Sequence, residues 1–238
     1  MNFLKIFKED LKYYDSENKE VKTILKYIKL KKKRVLDIGT GIGRLAFPLS
    51  KYAGEIVALD KDKRFKVCFK NKNRKIIFVN KKLEDYSRRN QKFEIILLSW
   101  PIFDINFLKI IKKLMNGKSL LIFITCDNKS DYETIIDKIG IIKFRYLNKN
   151  TKDKRKFLKS LPDLFKIIKK RKIKTYYKYP NEKIAFRIIK NGLKLWFNIN
   201  LNKKAKEKLK KLIKLHKKRN KVIFREEIYF YIMKLKCR

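Results

Sequence analysis

The feature that most constrains this chain is a cluster of glycines in the segment DIGTGIGRLAF, which runs from residue 37 to residue 47. Three of the seven glycines in the chain, Gly39, Gly41 and Gly43, lie within five residues. Glycine adopts positive φ angles and lets a ligand approach the main chain closely, because it has no Cβ atom. The cluster therefore indicates a tight turn of the backbone around something that must come close to it.

The sequence on either side of this cluster alternates between strand and helix patterns. We predict strands at 33–38, 55–60, 75–79, 93–99 and 119–125, and helices at 18–29, 43–52, 62–70 and 105–115. Near-continuous apolar strands separated by helices predict an α/β fold with a doubly wound, mostly parallel sheet. Ligands bind such sheets at the carboxyl ends of the strands, where the strand order reverses. The glycine cluster directly follows the first strand, so it lies at the expected binding position, with a helix dipole behind it.

The last third of the chain continues the alternation but is richer in lysine. We predict a helix at 130–140, a basic helix at 152–172 that Pro162 kinks or begins, a strand at 173–180, a helix at 181–193 that ends at Asn191–Gly192, a helix at 203–219 and a strand at 221–236. We expect a single domain, with an N-terminal helical cap at 1–30, a sheet core at 31–180, a basic helical lid at 181–220 and a closing strand at 221–238.

Length and composition limit the class of protein. The chain has 238 residues, of which 45% are hydrophobic, and this is enough for a buried core. No run approaches the ~18 apolar residues of a membrane span, and the N-terminus lacks an apolar signal segment. We therefore expect a soluble, cytoplasmic protein with no membrane partner. The cysteines Cys68, Cys126 and Cys237 have neither zinc-site nor disulfide-framework spacing, so no metal is expected.

The net charge of +43 is large and unevenly distributed. Residues 1–150 contain 35 basic and 17 acidic residues, whereas residues 151–238 contain 31 and 6. A field of this sign attracts polyanions such as RNA. Lysine, isoleucine and asparagine are abundant throughout, as in proteins from AT-rich genomes, so compositional bias is an equally good explanation of the charge.

The spacing of the glycines separates classes of nucleotide site. A dinucleotide fingerprint would place its third glycine at position 44, which is Arg44, and no P-loop pattern is present. The pattern is instead D-x-G-x-G-x-G, beginning at Asp37, and a second acid, Asp60, ends the next strand. A carboxylate at that position can accept hydrogen bonds from both hydroxyls of a ribose.

The segment VLDIGTGIGRLA, followed by EIVALDKD, resembles the first motifs of class I S-adenosylmethionine-dependent methyltransferases, and the resemblance covers about residues 13–125. It implies a Rossmann-like seven-stranded sheet with an antiparallel last strand, S-adenosyl-L-methionine as the cofactor, and methyl transfer as the reaction. A nucleotide-binding domain of another type and a degenerate relative are the alternatives.

The resemblance also implies a role for each matching residue of the glycine loop. Gly39, Thr40, Gly41 and Gly43 would wrap the methionine part of the cofactor. Asp37 would orient this loop and the amino group of the cofactor.

Residues after the next three strands complete the implied site. Asp60 would hold the ribose hydroxyls, Lys61 would lie beside the adenine, and Ser99 would approach the sulfonium through its backbone. The adenine edge departs from the family pattern, because no acid precedes Leu83. The backbone near Leu83 or the carboxylate of Glu84 would take that role, although Glu84 fits the first turn of a helix equally well.

The sequence names no catalytic acid or base, since methyl transfer depends mainly on alignment of the reactants and exclusion of water. It also gives no oligomeric state. The segment SWPIFD at 99–104 lacks the Asn/Asp-Pro-Pro-Tyr pattern of enzymes that methylate amino groups of nucleic acids. Trp100 and Phe103 fit packing better than stacking on an acceptor, and Asp104 is expected to cap a helix. His216 lies on an apolar helix face and is expected to pack rather than act as a base.

Two classes of acceptor remain open. The element order resembles methyltransferases in which a helical lid between the sixth and seventh strands covers the acceptor pocket, and this favours a small molecule. The basic charge, interleaved with the aromatic residues Tyr176, Tyr177, Tyr179, Trp196 and Phe197, favours RNA. We expect a small-molecule acceptor, with an RNA methyltransferase as the alternative and a non-catalytic protein of the same fold as a second alternative.

Overall fold

A computed structural model describes residues 3–70, 73–101, 103–126, 130–140 and 144–236. Seven long strands and one strand of two residues form a single sheet. The strands are β1 Arg34–Ile38, β2 Glu55–Asp60, β3 Ile76–Asn80, β4 Phe93–Ser99, β5 Met115–Cys126, β6 Phe165–Tyr179, β7 Lys217–Lys218 and β8 Lys221–Leu235. Their order in the sheet is β3-β2-β1-β4-β5-β8-β6, and β7 pairs with β8.

The direction of the strands confirms the predicted fold class. β1 pairs in parallel with β2 and β4, β2 pairs in parallel with β3, and β4 pairs in parallel with β5. The C-terminal strands are antiparallel. The order reverses at β1, whose two neighbours are β2 and β4, so the carboxyl end of β1 is a topological switch point.

Helices occupy most of the connections between the strands. They are α1 Phe3–Lys12, α2 Lys19–Tyr27, α3 Ala46–Leu49, α4 Leu83–Ser87, α5 Ile105–Leu114, α6 Asp131–Ile139, α7 Phe144–Leu164, α8 Glu182–Phe197 and α9 Lys203–Leu215, with a 3-10 helix at Lys63–Phe69. Within the described ranges, no helix combines the length and the apolar character that crossing a membrane requires.

The chain divides into two compact units. The sheet unit comprises the described residues of Val21–Thr125, Asn150–Arg171 and Tyr229–Arg238. The helical unit comprises those of Met1–Glu20, Cys126–Lys149 and Lys172–Ile228. Cys68 is buried, Cys126 is half-buried, and Cys237 lies outside the described residues.

The core of the sheet unit follows from strands that are apolar on both faces. Four of the five residues of β1 and five of the seven of β4 are buried, as parallel strands between two helical layers must be. α5 contributes a single apolar face, formed by Leu108, Ile111 and Leu114. Asp104 caps this helix as predicted, because its carboxylate accepts a hydrogen bond from the amide of Asn106 at 2.9 Å.

The helical unit has a separate core. Buried residues of α8 and α9 recur at helical spacing and pack with Phe224 and Tyr179; they are Ile188, Ile189, Leu193, Ala205, Leu209 and Ile213. His216 follows α9, and its ring lies 4.6 Å from that of Phe224. Partial burial lowers the pKa of His216, which favours the neutral form. His216 therefore packs, as expected from its position on the apolar face.

The largest error of the sequence interpretation concerns residues 165–172, which we predicted as helical. α7 ends at Leu164, two residues after Pro162, and the chain continues directly into β6. Proline removes a helix hydrogen bond and limits further propagation, while the β-branched residues Ile167, Ile168 and Ile173 favour an extended strand. The strand predicted at 173–180 is therefore the second half of a 15-residue strand.

Further helix boundaries also differ from the prediction. α7 begins at Phe144, whereas the predicted helix began at 152. α8 continues through Gly192 to Phe197, because Leu193 still packs in the core, and Asn198 caps it with a left-handed φ of 54°. α9 ends at Leu215, after which two residues form β7. The regular part of α3 covers only Ala46–Leu49, because Gly43 at φ 83° stands outside the helical region, so the predicted helix dipole is small.

Candidate functional site

The glycine loop connects β1 to α3 within the sheet unit. Gly39, Gly41 and Gly43 all have positive φ angles, of 70°, 56° and 83°. The amides of Gly39 and Thr40 both donate to the carbonyl of Leu59, at 2.8 and 3.1 Å, so the loop bends over the end of the neighbouring strand β2. The predicted tight turn is therefore present, and it requires glycine at three positions.

Two of these glycines have different surroundings. A Cβ atom built on Gly39 would meet nothing within 4 Å, so the space beside this residue is open. A Cβ atom on Gly43 would lie 2.5 and 2.7 Å from ring carbons of Phe47. Gly43 is thus required by packing, whereas Gly39 leaves room for a ligand at the main chain.

Asp37 lies beneath the loop and is buried. Its Oδ2 accepts a hydrogen bond from the hydroxyl of Thr40 at 2.7 Å. Burial raises the pKa of Asp37 to about 6, although the hydrogen bond from Thr40 and the charge of Arg44 oppose the shift. The two predicted residues Asp37 and Thr40 are therefore joined, and the carboxyl group changes charge just below neutral pH.

Asp60 ends β2 and connects three segments of chain. Its Oδ2 accepts from the amide of Gly41 and its Oδ1 from the amide of Asp62, both at 2.9 Å. Its carbonyl oxygen accepts from the side-chain amide of Asn80 at 2.9 Å and from the amide of Lys81 at 3.2 Å. Since a carboxylate oxygen accepts about two hydrogen bonds, each oxygen of Asp60 retains capacity for a ligand hydroxyl.

Ser99 closes the opposite side of the loop through a contact that the sequence interpretation missed. The guanidinium of Arg44 donates to the hydroxyl of Ser99 at 3.2 Å, which connects the glycine loop to the end of β4. The same guanidinium lowers the pKa of Asp37. The sequence did contain a signal for this role of Arg44. The residue occupies the position of the third glycine of a dinucleotide fingerprint, which places a cation inside the loop.

The remaining predicted residues are less closely connected. Leu83 is buried and begins α4, and Glu84 occupies the exposed first turn of that helix. Lys61 is exposed and follows Asp60 directly. Glu84 therefore stands where a helix-start carboxylate is favoured, which is the alternative that the sequence allowed.

The aromatic residues after β4 differ from one another. The ring of Phe103 lies 5.6 Å from that of Phe157 in an edge-to-face arrangement, so Phe103 packs as expected. Trp100 is 39% exposed and has a φ of 54°, which is uncommon for a bulky residue. Its amide donates to the carbonyl of Ile124 at 2.9 Å, which holds this backbone in place.

A second group of aromatic residues beside the loop was not anticipated. The rings of Phe47 and Phe69 are stacked at 5.0 Å, and those of Phe69 and Phe78 at 4.8 Å. These rings come from α3, the 3-10 helix and β3, so they fix the elements on which the loop rests. Their spacing in the sequence gives no periodic signal, because each ring belongs to a different element.

The aromatic residues predicted to interleave with lysines lie in the helical unit. Tyr179 is fully buried, and the ring of Tyr177 stacks 6.1 Å from it, so neither is an open stacking platform. The side chains of Trp196 and Phe197 lie outside the described part of the structure. The described residues contain no group of three or more His, Cys, Asp or Glu arranged to hold a metal ion.

Comparison by sequence finds no matching protein-family model and no matching curated protein. Solved structures do match. A candidate methyltransferase from Bacillus halodurans has a TM-score of 0.57 and 14% identity, over 90% of this chain and 98% of that one. A candidate type II methyltransferase from Anaeromyxobacter dehalogenans has a TM-score of 0.57 and 10% identity, over 84% and 88%.

A candidate RNA methyltransferase from Pyrococcus horikoshii matches with a TM-score of 0.52 and 15% identity, over 96% of this chain and 89% of that one. Identities this low establish the arrangement of the chain rather than its substrate. Together with the strand order and the glycine loop at the switch point, they identify the architecture: the chain has the Rossmann-like fold of class I S-adenosylmethionine-dependent methyltransferases.

Proposed function

We propose that this protein binds S-adenosyl-L-methionine at the glycine loop and transfers its methyl group to an acceptor. The observation that carries the proposal is the position of Asp60. Its carboxylate is fixed by the amides of Gly41 and Asp62 and retains hydrogen-bonding capacity on both oxygens. A carboxylate held in this way suits the two adjacent hydroxyls of a ribose.

The other residues of the site fit the rest of such a ligand. The open space beside Gly39 would admit the methionine part to the main chain. Asp37, once ionised, would attract the amino group of the cofactor. Ser99, oriented by Arg44, would flank the sulfonium. Lys61 and the backbone near Leu83 would border the adenine.

The cofactor supplies a methyl carbon that is already electrophilic, because it is bonded to a sulfonium. When bound, the cofactor would supply this carbon to a lone pair of the acceptor, and its sulfur would leave as a neutral thioether. The residues of the site therefore need to align the two reactants and exclude water, and an acceptor that loses a proton needs a base in addition. We assign no base, and the proposal does not require one from the chain.

We also propose a small-molecule acceptor, and this part of the proposal is supported only by the order of the elements in the chain. The chain order β6–α8–α9–β7–β8 supports a small molecule, because it resembles that of methyltransferases in which helices between the last long strands form a lid. RNA is the alternative, and one structural neighbour is named a candidate RNA methyltransferase. Incubation with radiolabelled cofactor, followed by separate counting of small metabolites and of RNA, distinguishes these two acceptors.

Calorimetry with S-adenosylmethionine tests the cofactor assignment, with Asp60→Ala and Asp62→Ala as a matched pair. Both substitutions remove a carboxylate from the same loop, but Asp62 caps the 3-10 helix and pairs with Arg64. Loss of hydrogen bonds to a charged acceptor is worth about 3 kcal/mol in total, so Asp60→Ala should weaken binding ~100-fold. Asp62→Ala should change the Kd less than about threefold.

Circular dichroism on both variants separates lost binding from lost folding. If the wild-type protein releases no heat with millimolar cofactor and gains no thermal stability, the non-catalytic alternative replaces the proposal. Equal losses in the two variants would instead remove the ribose role from Asp60.

A further inference from the structure

The first half of β6 is an exposed, basic edge of the sheet unit. β6 is the last strand in the sheet order, and residues 165–171 of it, with the sequence FKIIKKR, belong to this unit. Lys166, Lys170 and Arg171 are exposed, and Ile167 and Ile168 are 39% and 50% exposed. Five of these seven residues are therefore exposed, and they include side chains on both faces of the strand.

The cations of this edge contact tyrosine rings on both faces of the sheet. On one face, Lys169 Nζ lies 4.2 Å from the ring centre of Tyr27, and the Arg171 guanidinium beside the Tyr27 hydroxyl lowers the pKa of that tyrosine. On the other face, Lys170 Nζ lies 5.0 Å from the ring centre of Tyr229 and 5.6 Å from that of Tyr231. The alternation follows from the two-residue period of a strand.

Carboxylates do not neutralise this group. Across the described ranges, none forms an ion pair with Lys169, Lys170 or Arg171, and β6 itself contains seven basic residues and no acidic one. The tyrosines orient the ammonium and guanidinium groups but carry no charge to offset them. The positive charge of three consecutive residues is thus held in fixed positions at a sheet edge.

From these contacts we infer that residues 165–171, with Tyr27 and Tyr229, form a binding surface for the phosphate backbone of a single-stranded nucleic acid. The cations would contact phosphates, and the exposed isoleucines and tyrosine rings would contact sugars and bases. Seven residues at about 3.3 Å each extend ~23 Å, which is enough for several nucleotides. This surface is independent of the cofactor site, so it stands whether or not the proposed methyl transfer occurs.

A nucleic acid fits this edge better than an anionic membrane does. Interfacial binding requires a broad apolar face together with the cations, and Ile167 and Ile168, being adjacent in a strand, point to opposite faces of the sheet. A phosphodiester chain is narrow and extended, as the strand is. Recognition through phosphates also predicts little discrimination between RNA and DNA or between base sequences.

The test compares two triple variants that remove the same charge. Lys169→Gln, Lys170→Gln and Arg171→Gln change the edge, whereas Lys204→Gln, Lys206→Gln and Lys208→Gln change exposed positions of α9. Fluorescence anisotropy with labelled oligouridylate and oligothymidylate of about twelve nucleotides, over a range of salt, measures binding. Unilamellar vesicles with and without phosphatidylserine serve as the membrane probe.

We expect wild-type protein to bind both oligonucleotides with similar affinity. The edge variant should bind at least about tenfold more weakly near 100 mM salt, with a salt slope shallower by about 2 for three lost phosphate contacts. The α9 variant should lose less than about threefold. Equal losses in both variants would mean diffuse attraction by net charge and would overturn the inference, as would binding only to phosphatidylserine vesicles or to neither probe.

Two further variants protect the test against a folding defect. Lys169→Arg with Lys170→Arg keeps the charge and should keep the affinity and the salt slope. Lys170→Gln alone should reduce the slope by about 0.7, the contribution of a single contact to a single strand. If the charge-conserving variant loses binding as the edge variant does, the surface does not act through phosphates.

Discussion

The glycine loop and the β6 edge of the sheet unit treat their charges in opposite ways. In the loop, Asp60 accepts hydrogen bonds from two amides and Asp37 accepts one from the hydroxyl of Thr40. At the edge, Lys169 and Lys170 lie against tyrosine rings, and neither forms an ion pair with a carboxylate of the described residues. The charges of the loop are used in hydrogen bonds within the loop, whereas the charges of the edge are not neutralised and stay available to a ligand.

The difference shows why net charge is a poor guide to function in this chain. Most of the lysines behind the total of +43 are exposed, and a compositional bias toward lysine would supply them without any binding partner. What distinguishes a region is how its charges are held. Fixed partners specify a geometry, as in the loop, while rings that orient a cation without neutralising it leave its charge available to a polyanion.

The largest expected effect separates the open position of the loop, Gly39, from the packed one, Gly43. Gly43→Ala should destabilise the protein by at least about 3 kcal/mol, because a Cβ would overlap the ring of Phe47 at a φ of 83°. In Gly39→Ala the new methyl group meets no atom within 4 Å. The free energy of unfolding should therefore fall by only about 1 kcal/mol, the cost of backbone strain for an alanine at a positive φ. Urea unfolding followed by fluorescence measures both.

The same pair tests whether the space beside Gly39 is a ligand site. Gly39→Ala should weaken cofactor binding ~10-fold or more despite its small effect on folding, since the new methyl group occupies that space. Unchanged affinity in a folded Gly39→Ala protein would remove the ligand from this position, and equal unfolding energies for the two variants would contradict the difference in packing.

A second prediction concerns the charge of Asp37. Its pKa rises from 3.8 to about 6 on folding, so the folded protein binds the proton more tightly. The stability that this proton provides is fully present below about pH 3.8 and is lost as the pH rises through 6. A shift of this size corresponds to up to ~3 kcal/mol.

Asp37→Asn removes that dependence because the amide carries no charge in either state. At pH 8 the variant should be more stable than wild type by about 1–3 kcal/mol, and the difference should shrink towards zero near pH 4. Thermal melts from pH 4 to 8 measure it. A constant difference in stability across this range would show that Asp37 stays ionised. Although the variant is more stable at pH 8, it should bind the cofactor more weakly there, because it lacks the carboxylate.

Much of the sheet unit could be predicted because its strands carry a strong local signal. β1, β2 and β4 are mostly apolar and buried, and a parallel sheet covered by helices on both faces buries such strands. The cap at Asp104 and the turn at Gly39–Gly43 were equally predictable, since each depends on the local chemistry of a few neighbouring residues.

The predictions that were wrong or missing concern features that depend on contacts between residues distant in the sequence. The lysines of β6 suggested a solvated helix, whereas the strand exists because it pairs with β8, more than fifty residues later. Gly192 signalled a helix end, but the burial of Leu193 carries α8 past it. Arg44 could be placed in the loop from sequence, yet its bond to Ser99 requires the adjacency of β1 and β4.

The smallest expected effect tests whether the edge cations contribute to folding at all. Lys170→Gln removes two cation–π contacts, each worth about 0.5 kcal/mol at an exposed site, but also relieves repulsion from Lys169 and Arg171. The free energy of unfolding should therefore change by less than about 0.5 kcal/mol.

In the loop, Thr40→Val removes a single hydroxyl and should cost about 1–3 kcal/mol at pH 8, because it leaves the buried Asp37 carboxylate without its donor. Urea unfolding of both variants at pH 8 makes the comparison. A loss above about 1 kcal/mol for Lys170→Gln would mean that the chain needs this cation to fold, and the edge would then resemble the loop instead of opposing it.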